Sequence, residues 1–555
     1  MTTEKINAEV IAVYPNKVRI SVDNLEDFKI ADESLKVGSY LRISDNEDSK
    51  LFAIIENFSI EVTDDGRRTY RLEANPLGIL REGKFTRGGD SVAIPPKRVE
   101  PASKDEIQLI YNQSVEEKSR FIFSSLSARP SIRIPVDGNK FFNKHIAVVG
   151  ATGSGKSHTI ATLLQNAVAA KSGKFSLNNS HIVIFDIHSE YQSAFPKANQ
   201  ISINNLVLPY WLLNSEELEE LFLDTESNDY NQRFVFREAV VASRRAHFAG
   251  EITDKANIHF DTPLFFDIQE VLKAAVDKNE EVIDTGEVYA SGAKKGLPKT
   301  TQGSLHGKLT NFVNRLEGKI NDKKLQFLLG DKSKKISFEE TLTQILGYKA
   351  REEANVTIID LSGVPFDVLS ITVSLISRIL FEYGYFYKRI RNSADVREKV
   401  NNDIPLLLVY EEAHKYVPNS ELTKYRSSKT SIERIAKEGR KYGVTLLLAS
   451  QRPAEISETI FSQCNTFIAM RLTNPNDQSY VKKLLPDMLG NMVDTMPSLK
   501  AGEALIIGES IALPSIVQID TCTEPPSSND IPYFDLWKEE WKKLDIASIK
   551  KEWLK

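Results

Sequence analysis

Cysteine is nearly absent. Cys464 and Cys522 are the two thiols in 555 residues, with no CxxC pair and no histidine group at metal-ligand spacing. That excludes a disulfide framework and a structural zinc site, and it suits a reducing cytoplasm. Long hydrophobic runs are missing too. No stretch of about 18 uninterrupted apolar residues occurs, and residues 1–9 are polar where a secretory leader would be apolar, so neither a membrane span nor export by that route is expected. Charge of one sign is also scarce: 71 Lys plus Arg against 76 Asp plus Glu leave −5. Bulk electrostatics therefore do not announce a nucleic-acid binder, although a ring that encloses its substrate can keep basic side chains in a channel beneath an acidic exterior. What is present is the composition of an ordinary globular protein, 41% hydrophobic and 26% charged. The chain is too long for one core, so more than one domain is expected.

Two patterns divide the chain. In residues 17–23, Val18, Ile20 and Val22 alternate with Lys17, Arg19, Ser21 and Asp23, the period of a half-buried strand. A turn at Pro15 and Asn16 precedes it, residues 51–62 and 69–74 supply further extended runs, and Gly88, Gly89 and Asp90 another turn. These short strands predict a small N-terminal β-barrel over residues 1–98. Pro95, Pro96 and Pro101 cannot donate to a ladder and mark its end, followed by a linker over 99–140. From about Phe141 apolar strands alternate with longer helical stretches, which predicts an α/β domain with a mostly parallel sheet. Its expected extent is 141–207 and 350–522, interrupted by a helical insertion over 208–349 and followed by a C-terminal tail, 523–555. No internal repeat or low-complexity tract is visible.

The chemistry begins at Gly150, Ala151, Thr152, Gly153, Ser154, Gly155, Lys156 and Ser157, a complete Walker A loop between the apolar strand 145–149 and a helix that opens with Ser157 and His158. The glycines let backbone N–H groups turn toward phosphates, and the helix N-terminus adds partial positive charge. Lys156 reaches the β and γ phosphates and Ser157 binds Mg²⁺. ATP with Mg²⁺ is thus the expected ligand, and the domain is a RecA-like P-loop ATPase. A P-loop alone does not position metal and water for attack. The buried strand 404–410 ends in Glu411 and Glu412, where Glu411 would hold the Mg²⁺ shell and Glu412 would polarise the attacking water. Taken alone, two acids after a strand also occur on surfaces. The strand 444–450 ends in Gln451, a candidate γ-phosphate sensor or a simple strand-exit residue. Upstream, Ile432, Ile435 and Ala436 make an apolar helical stripe, leaving Arg434, Lys437, Arg440 and Lys441 to project. On spacing alone a solvated basic face explains them better than an arginine finger does.

In order along the chain, KHIAVVGATGSGKS, DIHSEY (186–191), VTIIDLSG (356–363), LLLVYEEAH and IAKEGRKYGVTLLLASQRP resemble the HerA family of hexameric ATPases, relatives of the FtsK-type DNA translocases. The resemblance spans nearly the whole chain. It implies a homohexameric ring that hydrolyses ATP between subunits and moves along duplex DNA, a helicase-type motor, with the N-terminal barrel as assembly domain. It implies Arg440 as an arginine finger offered in trans and places Asp186, His188 and Glu190 near metal and phosphate. Lys144 stands where the family often has an arginine that reaches the neighbour's nucleotide, and it lacks the bidentate fork. Ser189 stands where glycine is usual.

Members of this family work beside a separate effector, a NurA-type nuclease in end resection or a sirtuin-like NAD-hydrolysing or nuclease protein in antiphage defence. Nothing in this chain resembles such an effector, so a partner is expected. The barrel could dock it, as could the tail, where Phe534, Trp537, Trp541 and Leu544 recur at helical spacing and Trp553 follows. Wrapping onto a neighbouring subunit is the plainer use of those aromatics. The leading expectation is an ATP-driven translocase that powers or controls the effector. The alternative is a nucleotide-gated assembly platform with little DNA movement, and a membrane-anchored secretion ATPase is disfavoured. Arg244 and Arg245, Lys294 and Lys295, and Lys388, Arg389 and Arg391 are basic clusters that would suit phosphates, although solvated faces are the commoner explanation.

Overall fold

The computed structural model describes residues 8–14, 16–23, 36–44, 49–62, 66, 68–88, 98–224, 230–250, 252–290, 293–348, 353–393, 403–420, 426–484, 487–528 and 531–553. The turn residues Pro15, Gly89 and Asp90, and the breaking prolines Pro95 and Pro96, lie outside them.

The N-terminal strands are β1 (Ala8–Val13), β2 (Val18–Val22), β3 (Tyr40–Ser44), β4 (Ser49–Val62), β5 (Arg68–Arg81), β6 (Lys84–Arg87) and β7 (Arg98–Pro101). In β2 the alternation holds: Val18, Ile20 and Val22 are buried and Arg19 is exposed. The antiparallel order is β1-β2-β5-β4-β3-β7, with β6 on β5. Among the described residues no ladder joins β7 back to β1, although these two edge strands lie close to each other. One side of the sheet packs around Val18, Ile20, Leu41 and Leu72. Tyr40, Phe52, Ile54 and Leu80 instead join the main core of the protein.

The stretch expected to be a linker, 99–140, is built into the second sheet. Ser103 and Glu106 form a capping box that starts the helix Lys104–Gln113, and β8 (Arg120–Leu126) pairs with β9 (Arg129–Asp137). The prolines at 130 and 135 fit because β9 is the edge strand, where a missing N–H leaves nothing unpaired. Next come β10 (His145–Val149), β11 (His181–Asp186) and β12 (Asn199–Ile201). After them follow the separate hairpin β13 (Val282–Val288) and β14 (Pro298–Gln302), then β15 (Val356–Asp360), β16 (Leu406–Tyr410), β17 (Val444–Ser450), β18 (Cys464–Ala469), β19 (Glu503–Gly508) and β20 (Ser515–Ile519).

The central sheet runs β12-β15-β11-β16-β17-β10-β18-β19-β20-β8-β9. Neighbours from β12 to β18 are parallel, and those from β18 to β9 antiparallel. Every residue of β10, β16 and β17 is buried, as expected for parallel strands covered on both faces, which is why they read as unbroken apolar runs. Between β12 and β15 the described residues are mostly helical, including Tyr230–His247, Ile268–Asn279 and Thr310–Asn321. The helix Val368–Asn392 is by length and composition apolar enough to cross a membrane, yet 78% of its most apolar window is buried inside the protein. It packs on β17 and on the helix Arg426–Glu438. Buried hydroxyls tie the two sheets together: Tyr40 and Tyr111 are 3.1 Å apart, and Tyr111 is 2.5 Å from Ser515 at the start of β20.

Candidate active site

β10 delivers the Gly-rich loop at its carboxyl end, and the helix Lys156–Ala169 follows at once. The glycines are there for stated reasons. Gly155 caps that helix at φ +96, and a methyl on Gly150 would lie 2.5 Å from Ser154 Oγ. The loop is pinned from outside: Ala151 N–H donates to the Arg471 carbonyl at 2.8 Å, and Gly502 N–H to the Ser154 carbonyl at 2.9 Å. Beside it opens a cleft of ≈ 450 Å³ lined by Thr152, Gly153, Gly155, Lys156, Ser157 and His158, with Glu190, Glu411 and Gln451 across from them.

Adjacent parallel strands bring these groups together. β16 and β17 lie between β11 and β10, so the carboxyl ends of β11, β16, β17 and β10 present Glu190, Glu411 with Glu412, Gln451 and the P-loop in that order. Lys156 Nζ lies 2.5 Å from Glu412 Oε1 and 3.9 Å from Glu411 Oε1, all three side chains being buried. Gln451 donates through Nε2 to Glu412 Oε1 at 2.7 Å and accepts from Thr152 Oγ1 at 2.5 Å, so it touches both the acid and the P-loop. Ser157 Oγ donates to Glu190 Oε2 at 2.7 Å. Glu412 has φ +49, a left-handed conformation that costs about 1–2 kcal/mol for an L residue.

The two neighbouring acids titrate in opposite directions. Burial pushes Glu411 up to about 8, opposed by Lys156 and reinforced by Glu412, Glu190 and Asp186. For Glu412 burial acts the same way but is outweighed by hydrogen bonds from His414, Lys156 and Gln451, which hold it at about 2. Glu411 Oε2 has no hydrogen-bond partner, nor do the buried hydroxyls of Tyr191 and Tyr416, both of which feel the Glu411 charge. An orphaned carboxylate oxygen beside a serine hydroxyl suits a hard, oxygen-seeking cation. Among the described residues no group of three or more His, Cys, Asp or Glu makes a protein-only metal site, consistent with a cation held largely by phosphate and water.

Asp186 has a different task from the one expected. It is fully buried, and its two oxygens accept the N–H groups of His188, Glu190 and Tyr191 at 3.2, 3.2 and 2.9 Å. It therefore shapes the loop that carries Glu190, and both oxygens are already engaged by that backbone. Ser189 in that loop has φ +56, which explains why glycine suits the position. Its hydroxyl donates to Asp360 Oδ1 at 2.8 Å.

Lys144 and Arg440 lie elsewhere. Lys144 precedes β10 and Arg440 precedes β17, so both are at the amino ends of strands whose carboxyl ends form the cleft. Five residues of β10 separate the two edges by about 17 Å. Lys144 pairs with Glu509. Arg440 is exposed, on the turn Gly439–Tyr442 beyond the predicted helix, and has no ion pair among the described residues. Ile432, Ile435 and Ala436 form the expected buried stripe. Of the basic clusters, Arg244 is buried and donates to the carbonyls of Leu264 and Trp211, while Arg391 pairs with Asp403. These two are structural.

Sequence reasoning missed the far wall of the cleft: Gly502, Gln518, Asp520, Thr521 and Ser528. They come from the antiparallel β19–β20 region and the segment after it, which carry no motif. A glycine between two strand-like runs was the one available signal.

A family model described as the central domain of the helicase HerA matches residues 123–380. A probable helicase of Methanocaldococcus jannaschii is 24% identical, covering 96% of this chain and 95% of that protein. A DNA double-strand break repair helicase HerA of Sulfolobus acidocaldarius is 26% identical over 94% of this chain and 96% of that one. Among solved structures, VirB4 of Thermoanaerobacter pseudethanolicus aligns over 76% of this chain and 98% of its own with a TM-score of 0.45 and 14% identity. Joined to the buried lysine, the paired glutamates and the glutamine that links them to the P-loop, the family-model and helicase matches make the chain similar to the HerA family of P-loop ATPases and identify it as an ATP-hydrolysing enzyme.

Proposed function

We propose that this ATPase is a DNA-translocating, helicase-type motor that assembles as a homohexameric ring and powers or controls a separate effector, a nuclease or NAD-hydrolysing protein, in DNA end processing or antiphage defence. One observation supports the assembly: Arg440 and Lys144 stand on the strand edge opposite the cleft, a placement that suits donation to the cleft of a second copy rather than to their own. An arginine fits that task because its planar fork stays charged and stabilises oxygens at the transition state. Within the cleft, Lys156 binds the β and γ phosphates, Glu412 polarises water and Gln451 reads the γ-phosphate. Ser157 and Glu411 would hold Mg²⁺, which when bound neutralises phosphate charge. We assign 1–98 to assembly, 141–207 with 350–522 to the ATPase core, 208–349 to a helical insertion and 523–555 to a tail. Every residue of 531–553 with described burial is exposed, Trp541 and Trp553 almost wholly, which supports a docking role for the tail. The motor is read as cytoplasmic, where its two free thiols stay reduced.

DNA as substrate is supported by the names of the matched helicases. ATP hydrolysis measured with and without linear duplex DNA, alongside mass in solution, tests it. Faster turnover by a hexamer on DNA upholds the motor. Turnover that ignores DNA moves the assignment to a nucleotide-gated platform for the effector.

A further inference from the structure

We propose that His414 is the positioning residue that keeps the Glu412 carboxylate aimed during hydrolysis. This rests on Glu412 being the group that activates water. Glu412 receives four donors. On Oε1 are Lys156 Nζ at 2.5 Å and Gln451 Nε2 at 2.7 Å. On Oε2 are His414 Nδ1 at 3.2 Å and the Gln451 backbone N–H at 3.4 Å.

These donors differ in what else they must do. Lys156 is the phosphate-binding cation, and the Gln451 side chain is shared with Thr152 of the P-loop. A nucleotide that engages either one removes it from Oε1. His414 has no duty toward phosphate. It is not among the side chains lining the cleft, and it belongs to the turn Ala413–Lys415 that follows Glu412 directly. Its side chain is 11% exposed. Its Nδ1 is also 3.1 Å from Ser450 Oγ, and that oxygen accepts the Arg452 N–H at 3.0 Å. Nδ1 thus lies between the end of β17 and the Glu412 carboxylate, within reach of both.

The need for such a brace follows from the backbone. At φ +49 Glu412 leaves β16 in a left-handed turn, and a side chain with free torsions does not hold one heading without a partner. With Oε2 kept by His414, Oε1 is the oxygen released to water once Lys156 and Gln451 turn to phosphate. In the step itself, Oε1 takes one proton from water as its oxygen bonds to the γ phosphorus. The bond from that phosphorus to the bridging oxygen breaks, and ADP leaves with the electron pair.

The test compares His414→Ala, His414→Asn, Glu412→Gln and the double variant His414→Ala/Glu412→Gln in the full chain. Steady-state ATP hydrolysis is read together with affinity for a fluorescent non-hydrolysable ATP analogue. His414→Ala should lower kcat by about 10- to 100-fold, the scale of a misaimed group, with KM and analogue affinity unchanged. Asparagine keeps an N–H donor on the same branch, so His414→Asn should restore most of kcat. If His414→Ala melts early, His414→Asn decides, its near-normal kcat upholding the inference and its full loss overturning it. In the Glu412→Gln background His414→Ala should cost nothing further. Unchanged kcat in His414→Ala, or an equal added loss without Glu412, overturns the inference while leaving Glu412 in place. Normal turnover by Glu412→Gln instead overturns the reading of Glu412 on which it rests.

Discussion

Removing Lys156 should destabilise the nucleotide-free protein, apart from any effect on binding. Its ammonium is 7% exposed and lies 2.5 Å and 3.9 Å from two carboxylates that are themselves buried. At an effective dielectric of about 20, unit charges at the nearer separation, that of Glu412, attract by about 7 kcal/mol. The loss of hydration on burial offsets much of that, and breaking one side of a buried pair typically costs about 3–5 kcal/mol. Glu411 adds little to the pair, because burial holds it up at about 8 and it is already largely protonated at neutral pH. A loss of about 2–4 kcal/mol is therefore expected for Lys156→Ala, or a fall of about 2–3 °C in apparent melting midpoint. Glu412→Gln leaves no anion for the lysine to neutralise at its nearer contact. The double variant Lys156→Ala/Glu412→Gln should accordingly sit within about 1 kcal/mol of Glu412→Gln alone. Thermal melts of the four proteins without nucleotide give the cycle. Equal midpoints for wild type and Lys156→Ala, or strictly additive losses, would refute the ion pair.

A methyl at Gly502, where φ is +78, would meet Gln518 Nε2 at 2.7 Å and disturb the turn that holds Ser154. Gly502→Ala should weaken ATP binding by about tenfold, equivalent to about 1.4 kcal/mol, in a nucleotide titration, and unaltered affinity would remove the far wall from the site. Ser189→Gly trades a left-handed strain of about 1–2 kcal/mol for two hydrogen bonds of about 1 kcal/mol each. It should stay within about 1 kcal/mol of wild type in urea, whereas Ser189→Ala, keeping the strain and losing the bonds, should lose about 1–2 kcal/mol. His145 supplies a pH dependence. Burial holds its ring down at about 4 against an ordinary 6.5, and the neutral ring donates from Nε2 to the Ala436 carbonyl while Nδ1 accepts the Leu446 N–H. The unfolded chain binds a proton here that the folded one refuses, so this stability is complete above pH 6.5 and is lost as pH falls toward 4. The loss is at most about 3 kcal/mol, and the urea midpoint of His145→Asn should flatten relative to wild type across that window.

What the sequence made legible follows from where each signal is written. β10, β15 and β17 are identical to the apolar runs that predicted them, because parallel strands buried on both faces concentrate Val, Leu and Ile. Glu411, Glu412 and Gln451 were legible because they end such runs. The 99–140 segment was misjudged because β8 joins the central sheet through β20, nearly four hundred residues away, and β9 is added to the edge by pairing with β8. Asp186 looked like a ligand because an acid at a strand's end faces the crevice. Nothing in the sequence shows that three N–H groups of its own loop use it up. Gln518 and Asp520 were invisible for the complementary reason: they reach the cleft through antiparallel pairing, which leaves no local motif.

The two edges of the sheet make the proposed ring open to a sharper test than loss of activity. The cleft lies at the carboxyl ends of β10, β16 and β17 and Arg440 at the amino side of β17, so one chain presents the two halves of the proposed shared site in opposite directions. Surfaces that differ in this way associate head to tail, and a head-to-tail contact that closes makes a ring with one shared site per interface. Glu412→Gln spoils the cleft a subunit owns, and Arg440→Ala spoils the finger it lends. Each variant alone should therefore be inactive in rings of one kind. In rings assembled from equal amounts of both, an interface works when an Arg440→Ala subunit supplies the cleft and a Glu412→Gln subunit the finger, which random assembly gives at about one interface in four. ATPase activity recovered by co-refolding or subunit exchange, and absent from the separate proteins, is the expected result. No recovery in mixed rings of confirmed composition would mean that Arg440 serves its own chain or no nucleotide, and the opposed edges would then have another cause.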